Sequence, residues 1–354
     1  MKALNIITGY DNFIGQTRKP WVSIDTDMFL AELQNQGVSP KLYQMHQLIN
    51  GLETLRDSVI FYTFSHRANL RSYFHDGLIW LESMGNKLIP SIDLFLCHEN
   101  KGWQELYKHK KGYDGLKCFY FSSKRELDAV DLKYPLVFKT LNGSNSSGVA
   151  LVHNKAELLR TIINREKKLS FLEKTDLIRR KYLRKYKKFP GYPNYDSRYD
   201  AMLYEDYIKP EIPFILQEFV PGLSCDYRVV RLGERAFISK RMTRKGDFRA
   251  SGGGHFDFMP KEPERILQKA KEIYETFDSP YLSMDLAEDS KGNIHILEFQ
   301  AQHFGVNTII RSKGFYVNEG GAWVFQERKA LLEQYLAQGM AHYLNQRWSS
   351  LTTS

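Results

Sequence analysis

The stretch YLSMDLAEDSKGNIHILEFQ, residues 281–300, decides how this chain is read. Two apolar runs, Tyr281 to Leu286 and Ile294 to Phe299, flank a turn at Ser290 to Asn293, which predicts two neighbouring strands. Asp285 lies in the first. Glu298 and Gln300 lie two apart in the second, so they point to one face. An acid inside an apolar strand is costly unless it is paired or binds metal. Three oxygen ligands meeting on one side of a hairpin suit a hard divalent cation, magnesium or manganese, which takes few ligands from protein and the rest from phosphate and water. A salt bridge is the plainer reading of the same acids.

Upstream, strands are predicted at Phe214 to Phe219, Tyr227 to Leu232 and Ala236 to Arg241, with a helix from Glu262 to Phe277. A long helix, Ala322 to Tyr343, is expected to close the fold. Asp226-Tyr227-Arg228 is followed by Arg241 and by Asp247-Phe248-Arg249, which sets the arginines 13 and 8 residues apart. Planar, permanently charged forks on one sheet could converge on a phosphate or carboxylate; solvated surface arginine is the alternative. Ser251 to Gly254 behind Arg249 permits close backbone approach to a ligand. ILQEFVPG, residues 215–222, is an apolar strand ending where a flat base could lie against backbone. Taken singly, it reads first as an ordinary buried strand and turn.

Further back, Tyr134 to Lys139 is a strand and Leu141 to Gly148 a Gly/Ser loop before a strand at Val149 to Val152. Such a loop can turn backbone N–H groups toward phosphate oxygens, with Lys139 adding a point charge. It is not a Walker motif, since no Gly-Lys-Ser/Thr closes it. Asn154 with Glu157 marks a capped helix start.

Strands at Leu4 to Ile7, Ser58 to Tyr62 and Lys87 to Ile89 alternate with helices, one capped by Asp25 and stopping at Gly37, another from Arg67 to Met84. That pattern predicts a small α/β domain with a largely parallel sheet. A helix from Glu99 to Tyr107 and a strand from Lys117 to Phe121 lead into the rest.

The bulk numbers are those of a globular protein: 354 residues, 42% hydrophobic and 26% charged. Cys97, Cys118 and Cys225 form no CxxC pair, which argues against a thiolate zinc site and fits a reducing compartment. The absence of a long apolar run and an N-terminus that turns polar early lead to the expectation of a cytoplasmic protein without a transmembrane segment. The net charge of +9 resides in one segment: Arg160 to Lys188 holds 12 Lys/Arg and 3 Asp/Glu, and the rest of the chain is balanced. That segment overlaps an interruption at 165–212, whose basic part should be helical until Phe189-Pro-Gly-Tyr-Pro-Asn-Tyr195 breaks it.

The order of these pieces, from Pro135-Leu-Val-Phe-Lys139 through Gln217-Glu218-Phe219-Val220 to Glu298-Phe-Gln300, resembles the ATP-grasp superfamily, nearest its branch of glutathione synthetase and ribosomal-protein glutamate ligases. The resemblance covers roughly residues 95 to 305. It implies an α/β N-terminal domain followed by an ATP-grasp fold of two α+β subdomains. The corresponding division is 1–95, a linker and helix over 96–134, a lid subdomain over 135–222 with the basic insertion, and a metal-bearing subdomain over 223–354.

It further implies that Lys101 and Lys139 bind ATP phosphates under a loop that includes Ser144, Ser146, Ser147 and Gly148. Gln217, Glu218, Phe219 and Val220 would hold the adenine, and Asp226 would contact the ribose or orient the site. Arg241 and Arg249 would face the transferred phosphoryl and the acyl group. Asp285, Glu298 and Gln300 would be the metal ligands, although Gln300 stands where the family usually has Asn.

The implied reaction joins a carboxylate to an amine through an acyl phosphate and releases ADP and phosphate. A kinase acting on a hydroxyl, or a non-catalytic ATP-binding protein, are the alternatives on the same fold. The basic insertion suits an anionic polymer, an acidic glycan or its lipid carrier. Tyr182, Tyr186, Tyr192 and Tyr195 would also suit nucleic acid, though no recognised binding module accompanies them. An oligomer is left open.

Overall fold

The computed structural model describes residues 2–15, 23–64, 67–113, 115–143, 148–183, 197–209, 211–244, 246–249, 255–302 and 305–352. The chain divides into two compact units, 1–116 with 220–354, and 117–219.

The larger unit begins with strands β1 (Lys2–Thr8), β2 (Val38–Gln44), β3 (Val59–Tyr62) and β4 (Lys87–Ile89). They form a parallel sheet in the order β2-β1-β3-β4, as the alternation of strands and helices predicts. Asp25 caps the helix Thr26–Asn35 by accepting from the Met28 N–H. β2 is an edge strand, and this is why Pro40 is tolerated within it.

The smaller unit holds β5 (Cys118–Phe121), β6 (Leu136–Thr140), β7 (Val149–Val152) and β8 (Phe214–Glu218), antiparallel in the order β5-β8-β6-β7. Phe121, Phe138 and Phe214 stack in its core with Leu158 and Ile162 of the helix Lys155–Ile163. Within the insertion, a helix Phe171–Ile178 runs into a π-helical turn Arg179–Leu183, and a helix Ser197–Ile208 follows. Between Phe171 and Leu183 the basic part is helical, as expected. The Phe-Pro-Gly breaker and Tyr186, Tyr192 and Tyr195 lie outside the described residues.

The chain then returns to the larger unit with β9 (Cys225–Leu232), β10 (Arg235–Met242), β11 (Phe256–Asp257), β12 (Tyr281–Glu288), β13 (Ile294–Gln300), β14 (Gly314–Glu319) and β15 (Ala322–Glu327). They form one antiparallel sheet, β13-β12-β9-β10-β14-β15, with β11 beside β10.

Both faces of this sheet are covered, and period-two alternation sorts the side chains between them. Val229, Ala236 and Ile238 pack under the helix Glu264–Phe277, whose buried Ile266, Leu267, Ala270, Ile273 and Phe277 make one apolar stripe. Val230, Leu232 and Phe237 face the opposite way and share a core with the helix Leu332–Thr352 and with Leu4, Ile6 and Phe61 of the parallel sheet.

The expected helix from Ala322 is a correction. Ala322 to Glu327 is β15, paired with β14 across Gly320 and Gly321, and the helix starts at Leu332. Both glycines have positive φ, +60° and +98°. A Gly-Gly turn between alternating runs makes a hairpin where a residue with a Cβ would be strained.

Candidate functional site

Antiparallel register decides which polar residues share a face. Asp226 lies opposite Arg241, Arg228 opposite both Ser239 and Asp285, and Asp285 opposite Glu298. Gln300 lies opposite Ser283, one pair along. All of them stand on the face that carries Val230 and Phe237, so that face is apolar at one end and polar at the other.

The polar end is held by charge. Arg228 grips Asp285 with both arms of its fork, Nε to Oδ1 at 2.8 Å and Nη2 to Oδ2 at 2.9 Å. Arg241 grips Asp226 in the same way at 2.6 and 2.7 Å, and its Nη2 also lies 2.8 Å from Asp285 Oδ2. Two acids and two arginines therefore form one chain, Asp226–Arg241–Asp285–Arg228. Asp226, Arg241 and Asp285 are all buried.

Burial opposes ionisation of Asp285, but Arg228 and Arg241 outweigh it and hold the carboxyl below the usual range. Burial raises Asp226, and the Arg241 fork with the more distant Arg228 charge does not offset it. Burial also works against the Arg241 charge, yet the two carboxylates raise its pKa and keep it protonated.

Glu298 and Gln300 extend the row on β13. Lys101 Nζ lies 3.9 Å from Glu298 Oε1, and the Gln300 amide donates to the same carboxylate at 3.3 Å. Lys101 sits at the start of the helix Lys101–Lys110, with only 8% of its surface exposed. Asn100 caps that helix by accepting from the Trp103 N–H, and Gln104 fastens it to β13 by accepting from the Phe299 N–H.

Gln300 Oε1 is buried without a hydrogen-bond partner, a costly state that a cation would relieve. Asp285 accepts three N–H bonds out of roughly four lone-pair positions, so it retains capacity to bind. Hard oxygens from Asp285, Glu298 and Gln300 on adjacent strands thus fit a magnesium-type ion. Among the described residues no group of three or more His, Cys, Asp and Glu could hold a metal, and this set reaches three donors only through the amide.

In the smaller unit, Lys139 donates to the Gln217 side chain across β6 and β8 at 2.7 Å. Gln217 is buried, whereas Glu218 is exposed and pairs with Lys117, whose N–H approaches its carboxylate at 3.3 Å. Phe219 is half-buried and ends that unit. Val220, buried, begins the return of the chain to the larger unit. Gly148 accepts from the Thr140 N–H, and its φ is +80°. A Cβ there would meet Thr140 Oγ1 at 2.1 Å, so only glycine closes this turn. Ser144, Ser146 and Ser147 lie outside the described residues.

Arg249 is not brought to the row. Its guanidinium folds back on Asp247, Nη2 to Oδ2 at 2.8 Å, and it makes no bond to Arg241 or Asp285 among the described residues. Arg228, by contrast, was grouped in the sequence with Arg241 and Arg249 as a fork that could meet an anion, but its partner Asp285 was not readable there. Its parity with Asp226 along the strand is the signal that places it on the same face. Burial pushes the Cys97 thiol up, as for an inert core residue.

No protein-family model matches the chain, and no curated protein matches its sequence. Solved structures do match in fold. A D-cycloserine synthetase is 10% identical over 97% of this chain and 99% of its own, with a TM-score of 0.51. An N5-carboxyaminoimidazole ribonucleotide synthetase, solved as an ADP complex, is 14% identical over 88% and 73%, with a TM-score of 0.50. A RimK domain ATP-grasp protein from Sphaerobacter thermophilus DSM 20745 is 12% identical over 86% and 93%, with a TM-score of 0.47. The chain shares its mixed α/β fold with the two synthetases, the architecture expected from the resemblance in its sequence.

Proposed function

We propose that this chain is an ATP-dependent ligase that joins a carboxylate to an amine through an acyl phosphate. The observation that carries the reading is the polar row on the large sheet, where Asp226, Arg228, Arg241, Asp285, Glu298 and Gln300 share one face of an ATP-grasp fold. Fold alone does not give function. The row supplies acids, forks and a buried unpaired oxygen at one place.

A substrate carboxylate oxygen attacks the γ-phosphorus of ATP, and the bond to the bridging oxygen of ADP breaks. The amine nitrogen then attacks the acyl carbon, and phosphate leaves with the electron pair of the C–O bond. Phosphoryl transfer depends mainly on positioning and charge neutralisation.

Lys101 and Lys139 supply point charges to the phosphates. Gln217 orients the Lys139 ammonium, and Gln217 to Val220 hold the adenine, with Gly148 keeping the turn that leads into the phosphate loop. Asp226 holds the Arg241 fork flat, so that Arg241 is fixed toward the transferred phosphoryl. Arg249, released from Asp247, serves the acyl group. Arg228 fixes the direction of Asp285. Asp285, Glu298 and Gln300 would hold magnesium or manganese, which when bound neutralises phosphate charge.

The test is turnover of ATP with panels of acids, with hydroxylamine added to trap the acyl phosphate. Hydroxamate together with ADP is expected. A phosphorylated product that gives no hydroxamate with any active acceptor would replace the ligase with a kinase.

A further inference from the structure

We propose that the helical insertion of the smaller unit is a docking surface for an anionic lipid bilayer, lying in the plane of the headgroups. This inference does not depend on the ligase reading.

The insertion exposes apolar side chains that a water-facing helix pair would bury. Phe171 is 78% exposed, Leu172 76%, Leu183 66% and Tyr207 81%, with Ile178 also exposed. These are not frayed ends. Ser170 and Glu173 form a capping box at the start of the Phe171–Ile178 helix. Arg180 binds both Asp176 and Asp200 and stacks 3.6 Å from the Tyr204 ring, tying the π turn to the Ser197–Ile208 helix. Glu166, held by Lys124 and Lys209, anchors the base. The two helices are fixed to each other, and their outer faces remain uncovered among the described residues.

Those faces also carry cations. Phe171, Lys174 and Ile178 follow at i, i+3 and i+7, so an ammonium sits between two apolar side chains on one stripe. Lys168 and Lys174 are exposed and form no ion pair among the described residues, and Lys181 is exposed beside Tyr182. Between Arg160 and Leu183 the described chain holds 8 Lys/Arg against 3 Asp/Glu.

Charge complementarity selects an anionic occupant, and a second copy of the same basic face would be repelled. The aliphatic residues select an amphiphile. Leu172, Ile178 and Leu183 offer nothing to a base, a phosphate or a polyacid, whereas acyl chains take them and the headgroups take the lysines. No helix among the described residues is long and apolar enough to cross a membrane, so the contact would be in-plane.

The test is co-flotation of the full chain, without ATP, with vesicles of phosphatidylcholine alone or doped with phosphatidylglycerol. Binding to the doped vesicles only is expected, and it should weaken as salt rises. The double variant Phe171→Ser/Leu172→Ser should lower partitioning by at least about tenfold, and Lys168→Glu/Lys174→Glu by a similar factor. Both variants should keep the parent's melting temperature and ATP turnover. Three results would overturn the proposal: no flotation with doped vesicles, flotation that survives the apolar variant, or a concentration-dependent dimer that the apolar variant abolishes without any vesicle binding. The second would point to a purely electrostatic anion-binding face without insertion among acyl chains, and the third to self-association.

Discussion

Two charged regions of this molecule differ in almost every physical respect. The segment Arg160 to Lys188 carries the whole net charge, yet most ion pairs of the insertion lie at the surface, as in Arg125 with Asp206, Lys167 with Glu173 and Arg179 with Asp176, Glu166 being the buried exception. The row on the large sheet has balanced charge, Lys101, Arg228 and Arg241 against Asp226, Asp285 and Glu298, and most of it is buried. Surface pairs are screened by water and salt, so their partners are exchangeable. Buried pairs fix geometry, because a lost partner strands a charge. Net charge in the sequence therefore marks exposed helices, and the buried polar row is electrically silent.

The largest effect expected from this contrast is in the row. Arg241→Met should strand Asp226 and leave Asp285 to Arg228 alone, lower unfolding free energy by about 3–5 kcal/mol and abolish hydroxamate formation. Urea denaturation and the trapping assay would read both. A variant that unfolds like the parent would show the row to be solvated and erase the difference between the regions.

Glu298→Gln should instead spare the fold, since its carboxylate is partly exposed, while turnover falls by at least about a hundredfold. Full activity in this variant would remove Glu298 from the proposed metal site. Lys139→Met should weaken apparent ATP affinity by about tenfold through loss of one charge-assisted contact, measured by nucleotide titration.

The pH dependence separates the two acids that share Arg241. Asp285 is depressed, so its stabilisation is full above its unfolded value of about 4 and fades as pH falls through its folded value. Asp226 is raised, so its ionisation costs stability as pH rises from about 4 through its folded value. Asp285→Asn should flatten the acid limb of a stability–pH curve, and Asp226→Asn should flatten the limb above it. Urea midpoints across pH would show whether the limbs are separable. The smallest effect belongs to the insertion: Arg179→Ala should leave the urea midpoint unchanged, most clearly in added salt. A measurable shift would mean that the surface pairs there are not exchangeable.

Much of the fold was legible because its periods are clean. The strands around Asp226, Arg241, Asp285 and Glu298, and the helix ending at Phe277, lie close to where alternation and helical spacing put them. β2 was hidden by Pro40, which reads as a strand breaker until the edge position is known. β14 and β15 were hidden by the aromatic run after Gly321, which a helix stripe also fits. In the site, residue types and order were readable, but partnership was not. That Asp285 is gripped by two arginines follows from cross-strand register, which no single sequence displays. For the same reason the pairing of Arg228 with Asp285 stayed unread, and Arg249 was grouped with Arg241 although it pairs locally.

The core shared by the parallel sheet and the Leu332–Thr352 helix has a consequence for time. Leu4 and Leu344 belong to one cluster although they are roughly 340 residues apart. At about 5–20 residues per second, a ribosome needs on the order of 20–70 s to bring the second to the first. Through that interval the β1 surface waits for its partner. The contiguous smaller unit has all of its strands by residue 218 and can close its own core long before. A nascent chain stalled near residue 250 should thus resist protease across 117–219 while its first strands remain open to a chaperone.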